Sequence, residues 1–214
     1  MKRIIPLIFL FITLSTYGQR QNFNSLSIEQ GLGFHVPLLP ADGISRTKFI
    51  NFIYFHIGAR YMVFRNLGVR MRYHYNGFRH QDDASQGVTF NRISGELVYN
   101  LRELFPSLEG SRSFGLLLHG GLGYTTSRRL SDNGKDRLIN LQGGLMPIIK
   151  VSKAVSFFAE GMLISNIKQN YHFTGAEYQD IGVSGTSGVF GTFSVGIIVY
   201  LGEYGEYFEH ADWD

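Results

Sequence analysis

The stretch Leu67-Gly-Val-Arg-Met-Arg-Tyr-His-Tyr-Asn-Gly77 alternates Leu67, Val69, Met71, Tyr73 and Tyr75 with Gly68, Arg70, Arg72, His74 and Asn76. Successive side chains of an extended chain point to opposite faces, so this period of two builds one strand with an apolar face and a basic, polar face. Nothing here has the 3.6-residue period of a helix.

The same period recurs along the chain. From Asn24 to Pro37, Leu26, Ile28, Leu32, Phe34 and Val36 oppose Ser27, Glu29, Gly31, Gly33 and His35. From Phe49 to Val63, Ile53, Phe55, Ile57, Ala59 and Tyr61 oppose Tyr54, His56, Gly58 and Arg60. From Phe90 to Leu101, Ile93, Gly95, Leu97, Tyr99 and Leu101 oppose Arg92, Ser94, Glu96, Val98 and Asn100. From Phe114 to Thr125, Phe114, Leu116, Leu118, Leu122 and Tyr124 oppose Gly115, Leu117, His119, Gly121 and Gly123. Leu138 to Ile149, with Pro147, and Val155 to Ile167, with Glu160 on the inner face, are blurred; Phe190 to Leu201 is clear again. These eight expected strands run roughly 11 to 14 residues, against an ordinary mean near 5 to 6, whereas a tilted membrane strand needs about 9 to 11.

Connection lengths alternate as well. Arg65-Asn66 and Ser152 to Ala154 are tight, and Arg102 to Ser113 is longer on the same side. Leu38 to Lys48, Phe78 to Thr89, Thr126 to Arg137 and Lys168 to Val189 are long and polar. Short turns at one end and long loops at the other are expected of an all-β, eight-stranded antiparallel up-and-down transmembrane β-barrel. Tyr73, Tyr75, Phe78, Phe49 and Tyr124 are expected in one aromatic girdle; Tyr61, Phe64, Tyr99, Phe105, Phe114 and Phe157 are expected in the other.

The first residues read as an export signal. Lys2 and Arg3 precede the apolar run Ile4 to Leu14, and Thr16 and Gly18 place cleavage before Gln19. The expected layout is a signal peptide at 1–18, the barrel at 19–202 and a periplasmic tail at 203–214. Removing Lys2 and Arg3 takes the 20 Lys and Arg to 18, against 17 Asp and Glu, so the mature chain is nearly neutral. No basic stripe argues for nucleic acid. With no cysteine, disulfides, a Cys-based zinc site and a lipidated N-terminal Cys are excluded. The 26 glycines and 30 Tyr and Phe suit strands with two differently solvated faces.

Together with the signal and the eight segments, Arg92-Ile-Ser-Gly-Glu-Leu-Val-Tyr-Asn-Leu101 and the closing His210-Ala-Asp-Trp213 resemble the N-terminal barrel of OmpA-like outer-membrane proteins. The resemblance implies a Gram-negative outer-membrane location, insertion by the barrel-assembly machinery, and contact with outer-membrane lipid and lipopolysaccharide. In resembling proteins His-Ala-Asp-Trp leads into a peptidoglycan-binding domain. This chain stops at Asp214, so no wall-anchoring role is carried over.

Within a narrow barrel the polar face fills the lumen. Glu29, His56, Arg60, Arg70, Arg72, His74, Glu96, His119 and Glu160 are therefore expected to form a luminal charge network, because buried charges must pair. This reading gives a plugged, non-enzymatic barrel with a structural or surface-interaction role. A narrow, porin-like pore is the alternative, ahead of a lipid-modifying enzyme or a lipocalin-like binder, whose polarity would be reversed. The loop Arg79-His-Gln-Asp-Asp-Ala-Ser85 holds the residue types of a Ser-His-Asp nucleophile but reads as an ordinary loop. Ser127-Arg-Arg and Lys135 to Arg137 are candidates for lipopolysaccharide phosphates. Gly31 and Gly120 to Gly123 lack the following helix of a phosphate loop, and no metal or cofactor is expected. The face assignment puts Leu97 against lipid and Ser94 in the lumen, where an arginine is expected to be tolerated if space exists.

Overall fold

The computed structural model describes residues 26–39, 46–83, 85–104, 113–132, 134–177 and 187–201. The expected signal peptide and C-terminal tail lie outside them, as do Phe105 and His210 to Trp213. The strands are β1 (Leu26–Leu39), β2 (Asn51–Met62), β3 (Leu67–Arg79), β4 (Gly87–Asn100), β5 (Phe114–Arg129), β6 (Lys135–Lys150), β7 (Val155–Ile167) and β8 (Val189–Leu201). Each pairs antiparallel with its sequence neighbour, and β1 pairs with β8 from Leu26↔Leu201 to Leu39↔Val189, closing an up-and-down barrel. Closure leaves no sheet edge, so backbone N–H and C=O groups are met inside the ladder.

The termini-bearing end has the tight turns. The backbone N–H groups of Val63 and Phe64 donate to the Leu67 carbonyl at 3.0 and 2.9 Å, and those of Val151 and Ser152 donate to Val155 at 3.1 and 3.0 Å. A single-turn 3-10 helix, Leu101–Leu104, follows β4 there, so Leu101 leaves the strand. At the other end a second, Arg46–Phe49, precedes β2 and removes Phe49 from it.

The expected loop from Thr126 to Arg137 is mostly strand. β5 runs to Arg129 and β6 starts at Lys135, leaving a five-residue turn at 130–134. Likewise β3 and β4 narrow the Phe78 to Thr89 connection to residues 80–86. Polar residues on both faces imitate a loop in composition, but the hydrogen-bonded ladder continues where neither face needs to be apolar.

Burial follows the period of two. On β3, Gly68, Arg70, Arg72, His74 and Asn76 are buried, while Leu67, Val69, Met71 and Tyr73 are exposed. The blurred β6 and β7 also alternate: Leu138, Asn140, Gln142, Met146 and Ile148 point inward, as do Phe158, Glu160, Met162 and Ile164. Their inner faces mix apolar with polar groups, which hid the period. Pro147 adds a local break, since β6 and β7 pair at Leu145↔Gly161 and next at Ile148↔Phe158. Proline has no N–H for the ladder.

One pair of glycines separates close approach from open surface. A Cβ at Gly121, inside the barrel wall, would lie 2.0 Å from the Gly95 carbonyl oxygen and 2.6 Å from the Glu96 Cα, whereas one at Gly95 would meet nothing within 4 Å. Gly121→Ala is therefore expected to destabilise the folded barrel by about 1–3 kcal/mol, and Gly95→Ala to stay within about 0.5 kcal/mol. Urea unfolding of both variants in lipid vesicles checks the contrast.

Candidate functional site

All nine residues of the expected luminal network are buried and point inward from β1, β2, β3, β4, β5 and β7. Arg70 and Glu96 stand directly opposite across β3 and β4, with Arg70 Nη2 donating to Glu96 at 2.6 Å. The other contacts of Arg70 reach Glu29 at 3.0 Å and Glu160 at 3.1 Å. Arg72, one inward step along β3, donates through Nε to Glu96 at 3.0 Å and through Nη1 to both oxygens of Glu160 at 2.7 Å. Arg60 lies 2.7 Å from Glu29. His119 sits between two carboxylates, its Nδ1 at 2.8 Å from Glu96 and its Nε2 at 2.9 Å from Glu160.

The two other histidines sit differently. His74 is held between the Tyr54 hydroxyl at 3.1 Å and the Ser94 hydroxyl at 3.0 Å, without a carboxylate. His56 lies 3.2 Å from the Ser194 hydroxyl and 3.7 Å from Glu160. Ser94 also donates to Glu96 at 3.0 Å, and Gln142 donates to it at 2.7 Å. Ser94 is therefore buried between His74 and Glu96, and tolerance of an arginine there, expected only if space exists, would require both neighbours to move.

Apolar layers lie on both sides of the charges. Towards the termini-bearing end, Val98, Leu117, Met146, Ile148, Phe158, Ile198 and Tyr200 form one cluster. Towards the opposite end, Phe49, Tyr54, Phe78, Val88, Phe90, Met162, Ile164, Phe173 and Phe190 form another. Each layer touches the network through a methionine: Arg70 lies 3.4 Å from the Met146 sulfur and Arg72 3.5 Å from that of Met162. The lumen is thus stacked as apolar, ionic and aromatic layers.

Phe49 and Phe78 belong to the aromatic layer, not to a lipid-facing girdle as expected. Phe78 is fully buried and packs on Phe173, Phe190 and Phe90 with ring centroids 4.7, 5.2 and 5.3 Å apart. It continues the inward parity of His74 and Asn76, which was the available signal. Tyr73, Tyr124, Tyr61, Phe64 and Phe157 do point outward. Phe173 comes from the long connection after β7 and carries no periodic signal. Its segment is tied down by the Tyr171↔Glu177 bridge, by Arg129 stacked 4.8 Å over Tyr171, and by Arg129 3.5 Å from Glu177.

Arg92 lies on the inner face with Ser94 and Glu96, as its parity predicts, but outside the nine-residue network. It is fully buried, stacks 5.6 Å from the Phe190 ring, and has no carboxylate at ion-pair distance among the described residues.

The Arg79 to Ser85 loop does not assemble a nucleophile. The Ser85 hydroxyl donates to Asp83 at 2.6 Å, and His80 Nδ1 accepts the Asp82 backbone N–H at 3.2 Å while its ring edges onto Phe49. The hydrogen bond from Lys48 holds the Asp82 carboxyl below its ordinary range, and that from Ser85 does the same for Asp83. These groups close a turn.

No family model matches this chain, and no curated protein matches it. Among solved structures it is similar to Neisserial surface protein A, with a TM-score of 0.53 at 13% identity over 85% of this chain and 98% of that one. It is also similar to a major outer membrane protein from Thermus thermophilus, with a TM-score of 0.50 at 11% identity over 82% of this chain and 98% of that one. At these identities the likeness is one of fold: a closed antiparallel barrel of the kind found in bacterial outer membranes.

Proposed function

We propose that this chain is a non-enzymatic outer-membrane barrel with a structural or surface-interaction role, its lumen closed by side chains. The observation that carries the reading is the inversion of polarity. Arg70, Arg72, Glu96 and Glu160 are buried, while Met71, Leu97, Leu163 and Leu122 are about 60% exposed. A water-soluble barrel has the reverse arrangement. Large exposed apolar surface calls for an apolar surrounding, and strands of 12 to 16 residues are long enough to cross it. The long connections would face outside and the tight turns the periplasm.

The closed lumen argues against transport. Three stacked layers occupy the interior, and a side-chain-filled core is what an eight-stranded barrel accommodates. The Ser-His-Asp residue types in the 79–85 loop are spent on a turn, so no lipid chemistry is assigned to them.

Expressed with its signal in a Gram-negative host, the chain is expected in the outer-membrane fraction and to migrate as a compact, heat-modifiable band from detergent. Recovery as a soluble monodisperse protein without detergent would contradict the proposal. Leu97→Arg is expected to cost about 2–4 kcal/mol in vesicle unfolding titrations if it lies near the bilayer midplane.

Conductance tests the plug. In planar bilayers the unmutated barrel is expected to show at most brief, small openings. Glu96→Ala leaves Arg70, Arg72, His119 and Gln142 short of an acceptor; it is expected to destabilise by about 3–5 kcal/mol and to raise the leak. Phe173→Ala thins the aromatic layer and is expected to raise the leak with a smaller loss of stability. A large, steady conductance from the unmutated protein, unchanged by both substitutions, would favour the narrow pore instead.

A further inference from the structure

The hairpin joining β5 and β6 reads Arg128-Arg-Leu-Ser-Asp-Asn-Gly-Lys-Asp-Arg137, four cations and two carboxylates within ten residues. As a sequence its basic residues are candidates for lipopolysaccharide phosphates, set against the plainer reading of a solvated, mixed-charge loop. The fold separates its charges. Arg129 turns away to contact Asp132, Glu177 and the Tyr171 ring. Asp132 is occupied by Arg129 and by the Gly134 N–H at 3.0 Å. Asp136 is buried and accepts from the Asn170 backbone N–H at 2.8 Å and its side-chain amide at 3.1 Å. Asp136 is thereby buried, and Asp132, exposed in the turn, is held by Arg129.

Arg128, Lys135 and Arg137 remain, all exposed on the outer face. Arg128 stands directly opposite Lys135, and Arg137 opposite Thr126. Among the described residues no carboxylate pairs with any of the three side chains. Facing cross-strand partners hold their Cβ atoms about 4.5–5.5 Å apart, and like charges there destabilise the sheet unless something neutralises them.

The height of the cluster says what does. Below it on the same outer face the register stacks Leu122↔Leu141, then Tyr124↔Ile139, then Thr126↔Arg137, then Arg128↔Lys135. Leu122, Leu141, Tyr124 and Ile139 are each at least 50% exposed. The first cation therefore follows the last apolar row by two residues, roughly 7 Å along the strand. That is a step from acyl chain to headgroup, with an exposed tyrosine at the boundary.

We infer that Arg128, Lys135 and Arg137 form a binding site for the phosphates of an outer-leaflet glycolipid, with its acyl chains lying on Leu122, Tyr124, Ile139 and Leu141. The inference rests on the outer-membrane reading above. Two arginines offer forked donors to phosphate oxygens and Lys135 adds a point charge, a set suited to the two phosphates of a lipid A type headgroup. It makes no use of the luminal network.

The test uses the mature barrel in phosphatidylcholine nanodiscs titrated with lipid A, with retained lipid counted by native mass spectrometry. Bisphosphorylated lipid A is expected to bind tightest, the monophosphorylated form more weakly, and a fully dephosphorylated form no better than phosphatidylcholine. The variant Arg128→Gln/Lys135→Gln/Arg137→Gln is expected to retain heat-modifiable mobility while binding the bisphosphorylated lipid at least about tenfold more weakly. Free pyrophosphate is expected not to displace the lipid at equal concentration. Equal binding by the triple variant, indifference to phosphorylation, or full displacement by pyrophosphate would each overturn the assignment. Failure of the unmutated barrel to enter any bilayer would overturn the membrane reading and this site with it, whereas normal insertion without phosphate selectivity would overturn this site alone.

Discussion

Arg70 and Arg72 stand one inward step apart on β3, and neither guanidinium can lose its charge in a protein interior. Side by side on one strand they repel each other. Three carboxylates surround them: Glu29 from β1, Glu96 from β4 and Glu160 from β7. Glu160 comes from the far side of the barrel, so the contact needs a closed sheet. The placement of charge in the middle of the lumen, the shutting of the barrel and the apolar character of its outer face are consequences of one arrangement.

This arrangement is better understood as specifying the structure than as stabilising it. Desolvation offsets much of the Coulomb gain of a buried ion pair, while removing one partner is costly. A slip of β3 by one residue against β4 would turn Arg70 and Arg72 outward and Val69 and Met71 into the lumen, leaving Glu96 inside without either arginine. The aromatic and apolar layers reinforce the register by excluding water from both sides, and the Met146 and Met162 sulfurs bring them into contact with the arginines. The β5–β6 hairpin separates charge on the outside in a similar way, with Asp136 buried, Asp132 held by Arg129, and three cations left at the top of the apolar belt.

The architecture and the luminal charges were legible because both are written in parity. Once β3 is read with period two, Arg70, Arg72 and His74 share a face, and Glu96 and Glu160 follow on their own strands. Parity also carried information that composition obscured: Phe78 lies two residues beyond Asn76 and four beyond His74, hence inside, although an aromatic at a strand end suits a lipid interface equally well. The same rule places Arg92 inside, and only its lack of a carboxylate partner among the described residues needed the structure. The limits of β5 and β6 were not legible, because above the apolar belt both faces are polar and a strand has the composition of a loop. Phe173 was not legible at all, since its burial depends on the fold of a long connection and on Arg129 holding Tyr171 and Glu177 in place.

The central claim is that the face bearing Leu97 meets hydrocarbon while the arginine face is enclosed. The natural chain has no cysteine, so single cysteines at Leu97, Leu141 and Val195 can carry a nitroxide in vesicles, with Arg128 as the control near the headgroups. Electron paramagnetic resonance then compares relaxation by dioxygen, which concentrates in hydrocarbon, with relaxation by a water-soluble nickel chelate. The account predicts strong dioxygen and weak nickel relaxation at Leu97, Leu141 and Val195, and the reverse balance at Arg128. Nickel relaxation at Leu97, Leu141 and Val195 as strong as at Arg128 would place that face in water and contradict it.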